Sequence, residues 1–482
     1  MITFFAGLAV LILGGCFYGK FCEKVFRPDE RETPATAQAD GVDYVELPKW
    51  KNCLIQLLNI AGTGPILGPI QGILFGPIAF ITIPIGCILG GAMHDYMTGM
   101  ISVRNRGNQM PELIRKYLGK GIGKVYTVFV AVVLILVTAV FVYTPGDLLA
   151  SDIAGGNDPS NVWLWVIYGV IFLYYLIATV FPVDKIIGRI YPVFGAILLI
   201  SAVGVMAGIL IKGYPLTEVW ECQNLLNGHP LGQKFFPVFF VTVSCGIVSG
   251  FHTTQTTLVS RTLKKEKDGR STFYSMMIAE GVIAMIWAAA AMGIYNTGLA
   301  DAKTQAVPVL NLICGDFLGP VGGTVAMLGV VVLAVTSGDT ALRSARLAAA
   351  ETLRIPQNRV SQRLILSGTL SAAVIALLIF AKINSEGFNL LWRYFGWCNQ
   401  VAAVFAFTTI TVWLKNHQRP YVISLIPGMF YMAVVTDYIL TAQIGFGMNE
   451  LPAGIVSAAL TLAYLLLLVF KKTRTTELTD HA

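Results

Sequence analysis

Charged residues are scarce in this 482-residue chain: they make up 13% of the residues, whereas 55% are apolar. A soluble domain has about 25% charged residues, so the deficit excludes a disordered chain, a DNA-binding protein and an ordinary cytosolic enzyme. Catalytic patterns are also missing, since the sequence contains no HExxH, GxSxG, P-loop or CxxC motif. Most of the eight cysteines lie in apolar runs, which favours small buried side chains over a disulfide scaffold.

Long apolar runs are what the sequence has instead, and they predict an all-α multi-pass membrane protein. A membrane-spanning helix needs about 20 mostly apolar residues. Thirteen runs qualify: 2–19, 53–75, 78–103, 125–146, 162–181, 190–211, 236–259, 273–296, 317–337, 364–381, 389–413, 421–441 and 451–470. The first lacks a basic region before it and a small-residue cleavage site, so we interpret it as a retained helix rather than a signal peptide.

The basic residues predict the orientation, because Lys and Arg are enriched in short cytoplasmic loops. With an external N-terminus and an internal C-terminus, 29 of the 34 Lys and Arg fall in internal segments. The four external ones are Lys212, Lys234, Lys303 and Lys382. This asymmetry accounts for much of the net charge of +7 without a nucleic-acid partner. Cys222 and Cys314 both fall on the predicted external face, where a disulfide between them is possible.

The second run is interrupted by glycine and proline, which supply five of the eleven residues from 59 to 69. Proline has no amide hydrogen for the helix, and glycine costs about 1 kcal/mol relative to alanine. Irregular backbone at membrane depth is tolerated only where it is buried in protein or lines a cavity. The pattern favours a discontinuous helix that lines a ligand site; the alternative is a proline kink with close glycine packing.

The seventh run carries a polar cluster, S-C-G-I-V-S-G-F-H-T-T-Q, at residues 244–255. It predicts a second discontinuous helix; the alternative is a polar seam that neighbouring helices satisfy. The two interrupted runs are five runs apart and therefore antiparallel, which is typical of a transporter with an inverted repeat. The predicted units are an N-terminal helix and loop (1–51), a first repeat (52–212), a second repeat (235–414), and a C-terminal helix pair with a tail (420–482).

The two breaks together predict a binding site near the bilayer midplane. Each break exposes a helix N-terminus, which favours an anion, and a C-terminus, which favours a cation. Such a site could hold a carboxylate-bearing solute together with H⁺ or Na⁺. The candidate substrate-binding residues are Asn59, Gly62, Thr63, Gly64, Ser249, His252, Gln255, Asn399 and Gln400. For Asn399 and Gln400, a role in bridging helices is equally open.

Ionisable residues inside the runs are costly in a membrane, so each needs a reason. His94 and Asp95 in the third run could relay a proton or form a structural pair at the internal end of the helix. Glu280 in the eighth run is a candidate proton carrier, because an apolar setting favours the neutral carboxyl, or a structural hydrogen-bonding group. His94 and His252 could share a metal, but no two further ligands are evident, so we predict no metal site.

The ninth run ends in hydroxyl and carboxyl groups. Thr336 and Ser337 could ligate a cation together with carbonyl groups of the broken second run. Asp339 joins them as a candidate ion-coupling residue, although it could instead pair with Arg343 four residues later.

Five segments carry a family resemblance: N-I-A-G-T-G-P-I-L-G-P, G-G-A-M-H-D, S-G-F-H-T-T-Q, D-T-A-L-R-S-A-R and L-W-R-Y-F-G-W-C-N-Q. Together they resemble the carbon starvation protein A (CstA) family, from about Gly41 to beyond Gln400. The resemblance implies a bacterial inner-membrane carrier of peptides or pyruvate, proton-coupled, in the amino acid–polyamine–organocation superfamily. It also implies a LeuT-like fold with a five-plus-five inverted repeat. The chain looks like the short form, and Val335-Thr336-Ser337 is similar to the sodium-ligating segment of LeuT-fold symporters.

The sequence therefore predicts a secondary transporter that imports a small carboxylate-bearing nutrient, peptide or pyruvate, by alternating access. An H⁺ or Na⁺ gradient would drive it, because the chain has no recognisable ATP-binding domain. The alternatives are a membrane channel and a starvation sensor without transport, and an enzyme is not expected. The expected partners are the solute, the coupling ion and the lipid bilayer, with no cofactor and no nucleic acid. The oligomeric state does not follow from the sequence.

Overall fold

The apolar runs fold into helices in the computed structural model, which describes residues 1–180, 183–357, 359–384 and 387–472. Within these ranges the only β-structure is one isolated parallel bridge between Leu47 and Leu263. The all-α fold class is thus confirmed. The predicted internal tail from residue 473 onwards lies outside the described residues.

Helical backbone is present in all thirteen predicted runs. The long helices are Ile2–Phe26, Lys120–Ile153, Val162–Val180, Val183–Lys212, Ser275–Asn296, Ala306–Leu353, Val360–Ile383, Gly387–Asn416, Val422–Thr441 and Glu450–Phe470. Across the described residues, ten helices are long and apolar enough to cross a membrane, or eleven if one bent pair counts as a span. The remaining two predicted spans, the third and the seventh, are irregular helices.

Two of the runs are discontinuous, as predicted. The first broken helix consists of Lys49–Ile60 and Gly64–Phe75, which meet at an angle of 48°. The second broken helix consists of residues 235–242 and the segment His252–Val259. Gly246 lies between its halves with φ +94°, a backbone conformation that glycine adopts without steric cost. Both breaks are buried in protein, which is the setting that irregular backbone requires at membrane depth.

The third run is a helix with a π-helical stretch, Cys87–Ala92, between Ala79–Gly86 and Met93–Arg104. This stretch contains Gly90 and Gly91, and a Cβ on Gly91 would lie 2.1 Å from the carbonyl oxygen of Ile247. The helix therefore packs directly against the second break, which brings His94 and Asp95 close to it.

The predicted limits of the ninth run, 317–337, are wrong. The helix runs from Ala306 to Leu353 and changes direction at Gly319, where φ is +68°. Its charged extension stays helical because distant partners bury it: the Arg343 guanidinium donates to the Ala178 carbonyl (2.8 Å) and contacts Asp43 (3.4 Å). A charged segment that looks like an internal loop is therefore part of the packed interior.

The helices around the two breaks are closely packed. Lys120–Ile153 packs along Ala306–Leu353, Gly64–Gly72 packs against Ser275–Asn296, and His252–Val259 packs against Met93–Arg104. The predicted repeat boundaries, 52–212 and 235–414, stay a prediction. The possible disulfide is not formed, since both Cys222 and Cys314 lie in the described part of the chain and neither is in a disulfide.

Candidate functional site

The two breaks touch each other. A Cβ built on Gly64, where the first broken helix resumes, would lie only 2.3 Å from the Sγ atom of Cys245 in the second break. Farther along the same half-helix, a Cβ on Gly68 would lie 2.8 Å from the Thr242 carbonyl oxygen. The glycines that suggested an interruption thus also allow the two broken helices to pack at backbone distance.

Two amide side chains hold the second break in place. Asn399 Oδ1 accepts a hydrogen bond from the Phe251 amide (2.6 Å) and lies 3.2 Å from Ser249 Oγ. Gln400 Nε2 donates to the carbonyl oxygens of Phe240 (3.0 Å) and Val248 (3.1 Å). Both side chains thus bridge helices, and their contact with substrate stays a prediction. These residues satisfy backbone groups that the interruption releases.

Of the two ninth-run hydroxyls, Ser337 lies beside the first break, and the cation-ligating role of both stays a prediction. Ser337 Oγ donates to the Leu58 carbonyl oxygen (3.2 Å), and a Cβ on Gly62 would lie 3.1 Å from this hydroxyl. Thr336 bonds within its own helix, to the carbonyl oxygen of Leu333 (3.0 Å). Asp339 is buried one turn away, and its Oδ2 has no hydrogen-bond partner among the described residues.

Four ionisable side chains form one continuous polar chain through three helical segments. His94 Nδ1 lies 2.8 Å from Asp95 Oδ1, and Asp95 Oδ2 lies 2.9 Å from His252 Nδ1. His252 Nε2 lies 3.5 Å from Glu280 Oε2. All four side chains are completely buried. We call His94, Asp95, His252 and Glu280 the polar chain. Its first three members are hydrogen-bonded, whereas His252 and Glu280 are in ion-pair range without a hydrogen bond, so a proton could pass between them only after a closer approach.

The polar chain joins residues that the sequence predicted separately and for different roles. His94, Asp95 and Glu280 were candidates for ion coupling, whereas His252 was a candidate substrate ligand. In the structure His252 is the link between Asp95 and Glu280. Cys245 Sγ lies within 4.8 Å of ligand atoms of His252 and Glu280. These three donors lie close enough to approach one metal ion, and the absence of a metal site stays a prediction.

The remaining candidate residues are buried around the breaks. Asn59 and Thr63 flank the first break, and Gln255 lies in the half-helix after the second. Thr63 Oγ1 and Gln255 Oε1 have no hydrogen-bond partner among the described residues. Buried polar atoms are nearly always paired in native proteins, so unpaired ones beside two breaks suit a site that a solute or ion completes.

A cavity lies elsewhere, at the predicted external end of the bundle. It has a volume of about 840 Å³, and its wall includes Tyr143, Thr144, Asp147, Asn157, Gln305 and Phe388. We call this cavity the vestibule. Asp147 on its wall forms a buried ion pair with Lys382 (2.7 Å). Sequence reasoning missed this pair, because each charge lies near the end of an apolar run and looks interfacial.

Phe141 lies between the vestibule and the breaks. It is one turn before Thr144 in the same helix, and its ring lies 5.9 Å from Phe251 and 6.3 Å from Phe395. A Cβ on Gly62 would lie 2.8 Å from its Cζ atom. Phe141 therefore contacts both breaks from the side on which the vestibule lies.

The sequence is similar to known proteins. The sequence model of the carbon starvation protein CstA family matches residues 1–157, 158–311 and 297–438. An uncharacterized membrane protein of Haemophilus influenzae is 40% identical over 65% of the chain and 96% of the relative. The peptide transporter CstA of Helicobacter pylori is 25% identical over 61% of the chain, and that of Escherichia coli is 24% identical over 88%. The match spans about half (51%) of the Helicobacter pylori protein.

Solved structures show the fold. The manganese transporter of Eremococcus coleocola superposes with a TM-score of 0.59 over 90% of this chain and 97% of its own, at 12% identity. MhsT in complex with L-phenylalanine superposes with a TM-score of 0.60 over 87% and 99%, at 13% identity. The predicted LeuT-like fold with two discontinuous helices is thereby confirmed.

Proposed function

The chain belongs to the carbon starvation protein CstA family, and from this premise we propose that it is a secondary active transporter that imports a small carboxylate-bearing nutrient. The named relatives are called peptide transporters, so a peptide is the first candidate solute and pyruvate is the second. The ten apolar helices place the protein in a membrane; we propose the bacterial inner membrane, with the N-terminus outside.

The observation that carries this proposal is the contact between the two buried breaks. At each break, helix ends present amide and carbonyl groups that can bind opposite charges. Asn399 and Gln400 supply hydrogen bonds to backbone groups that the second break releases. The solute carboxylate would bind between Gly64 and Ser249, near the unpaired hydroxyl of Thr63, once the two broken helices, which are in close contact here, move apart.

Proton coupling is supported by the polar chain. A buried His–Asp–His–Glu series is expensive in a membrane protein and typical of proton relays. Its His252 belongs to the second broken helix, so movement of that half-helix would change the distances to Asp95 and Glu280. Protonation and rearrangement of the substrate site would then be linked through the same helix.

Sodium coupling is the second candidate, and the Ser337 hydroxyl favours it. This hydroxyl contacts the Leu58 carbonyl oxygen beside the first break, and hydroxyl and carbonyl oxygens are the ligands of hard cations. The two couplings differ in which gradient drives accumulation.

Transport into proteoliposomes tests the proposal. The purified protein is reconstituted, and uptake of labelled alanyl-alanine, trialanine and pyruvate is measured under an imposed H⁺ gradient, an Na⁺ gradient or neither. We expect saturable, gradient-driven uptake of at least one solute, and counterflow from preloaded vesicles. Non-saturating flux without counterflow would indicate a channel. Absence of gradient-driven uptake of all three would contradict the proposal.

A further inference from the structure

A buried ion pair adjoins the vestibule. Asp147 lies on the wall, which also carries aliphatic, aromatic and polar side chains, and Lys382 is the buried partner of Asp147. Asp147 and Lys382 are only 7% and 8% exposed. The Lys382 ammonium lies 2.9 and 2.7 Å from the two carboxylate oxygens of Asp147. The same carboxylate accepts hydrogen bonds from Tyr168 (2.5 Å) and Asn157 (3.0 Å). Three side chains therefore hold the Asp147 carboxylate in place.

An aromatic surface adjoins the ion pair. The Lys382 ammonium lies 4.8 Å from the centre of the Tyr143 ring, and Tyr143 stacks on Phe388 with ring centres 4.5 Å apart. Both rings line the vestibule. A cavity of about 840 Å³ with an apolar face and a few fixed polar groups falls within the range of small-molecule sites.

The ion pair restricts which solutes can bind beside it. Removing one partner from a buried pair leaves an uncompensated charge and is strongly unfavourable. A simple carboxylate that bound Lys382 would leave Asp147 as a buried charge without a partner. A zwitterion can replace both halves at once, because its ammonium takes the place of Lys382 on Asp147 while its carboxylate binds Lys382. The number of opposite-charge contacts does not fall.

We propose that the vestibule is a recognition site for zwitterionic solutes with free amino and carboxyl groups, in which Asp147 binds the ammonium and Lys382 the carboxylate. This inference rests on the proposed transport function and narrows its solute to unmodified peptides or amino acids rather than pyruvate. Phe141 lies about 9 Å farther along the helix from Asp147, toward the breaks. A solute bound in the vestibule would therefore be separated from the site at the breaks by the Phe141 side chain.

Ligand-induced thermal stabilisation of the purified full-length protein tests the inference. The probes are alanyl-alanine, its N-acetyl form, its C-terminal amide and pyruvate. For the wild type we expect half-maximal stabilisation by alanyl-alanine at a concentration roughly tenfold lower than for either capped form. The double variant Asp147→Asn with Lys382→Gln keeps polar side chains without leaving a lone buried charge, and we expect it to lose this preference.

The chain offers a matched control pair of the same chemistry. Lys234 and Glu450 form an ion pair, and neither residue lines the vestibule. This pair is exposed, and exposed ion pairs contribute little. Lys234→Gln with Glu450→Gln should keep the preference for alanyl-alanine within about twofold of the wild-type value.

A charge-reversed variant keeps the inference testable if the neutral double variant fails to fold. Asp147→Lys with Lys382→Asp retains an ion pair. It should retain the preference for the zwitterion, with the solute carboxylate at position 147 and its ammonium at position 382. Equal stabilisation by free and capped dipeptides in the wild type, or an unchanged preference in the neutral variant, would overturn the inference. Either result leaves gradient-driven uptake in proteoliposomes intact, whereas failure of the proposed function would abolish that uptake.

Discussion

Single glycines determine how closely the broken helices approach their neighbours. A Cβ on Gly250 would lie 2.2 Å from the Asn399 carbonyl oxygen and 2.4 Å from the Ala403 amide nitrogen. Both obstructing atoms belong to the backbone, so no side chain can rotate away. The glycine-rich composition of the two runs therefore has a packing cause in addition to its effect on helix propensity.

Replacing Gly250 with alanine should lower stability and abolish uptake, because overfilling a packed interior costs about 1–3 kcal/mol. Thermal unfolding in detergent and proteoliposome uptake measure the two effects. Gly169→Ala is the matched control: it is also in a helix, and its Cβ would meet nothing within 4 Å. A Gly250→Ala protein as stable and active as the control would contradict the packing argument.

A substitution of Glu280, at the end of the polar chain, can distinguish a role in proton coupling from a role in solute binding. Glutamine has nearly the same shape but cannot exchange a proton, so Glu280→Gln should lose proton-driven accumulation of solute and retain counterflow. The two modes are measured on the same proteoliposomes. Asp437→Asn is the control, since Asp437 lies in the separate helix Val422–Thr441. Proton-driven accumulation by the Glu280→Gln protein would exclude this carboxyl as the coupling group.

At the scale of elements, each broken helix depends on an intact helix beside it. The second break is held by Asn399 and Gln400 of Gly387–Asn416, and the first is contacted by Ser337 of Ala306–Leu353. The discontinuous helices can be inserted in a membrane because these neighbours satisfy groups that lipid cannot.

Replacing Asn399 with alanine should destabilise the protein, since it leaves the buried Phe251 amide without its acceptor. A lost partner of this kind costs about 1–3 kcal/mol, which thermal unfolding measures as a lower midpoint. Asn296→Ala is the comparison, because Asn296 donates to the Pro215 carbonyl (2.8 Å) at an exposed position. Equal midpoints for the two variants would show that the amide does not support the break.

Both discontinuities follow from local sequence, because glycine, proline and clustered polar residues weaken a helix wherever they occur. The end of the ninth run does not follow, since Arg343 stays helical only by virtue of Asp43 and Ala178, which are far away in the chain. Likewise His94, Asp95 and Glu280 each stand out as ionisable residues in apolar runs. Their connection through His252 depends on the packing of three helical segments, which no local pattern encodes.

For the whole molecule, the vestibule and the breaks form two polar regions separated by Phe141. The sequence predicted the region at the breaks and missed the vestibule, because Asp147 and Lys382 are 235 residues apart and neither belongs to a motif. If a solute first binds in the vestibule and then moves past Phe141 to the breaks, the proposed transport has a direction. That direction counts as import only if the vestibule faces outward.

Cysteine labelling tests this orientation. Lys303 lies exposed in the connection that precedes Ala306, near the vestibule, and Lys264 lies exposed beyond the second broken helix. In a Cys222→Ser background, a charged maleimide should label Lys303→Cys in intact cells, because charged groups cross the bilayer poorly. Lys264→Cys should react only after the cells are permeabilised. The reverse pattern would place the vestibule on the cytoplasmic side and convert the proposed importer into an exporter.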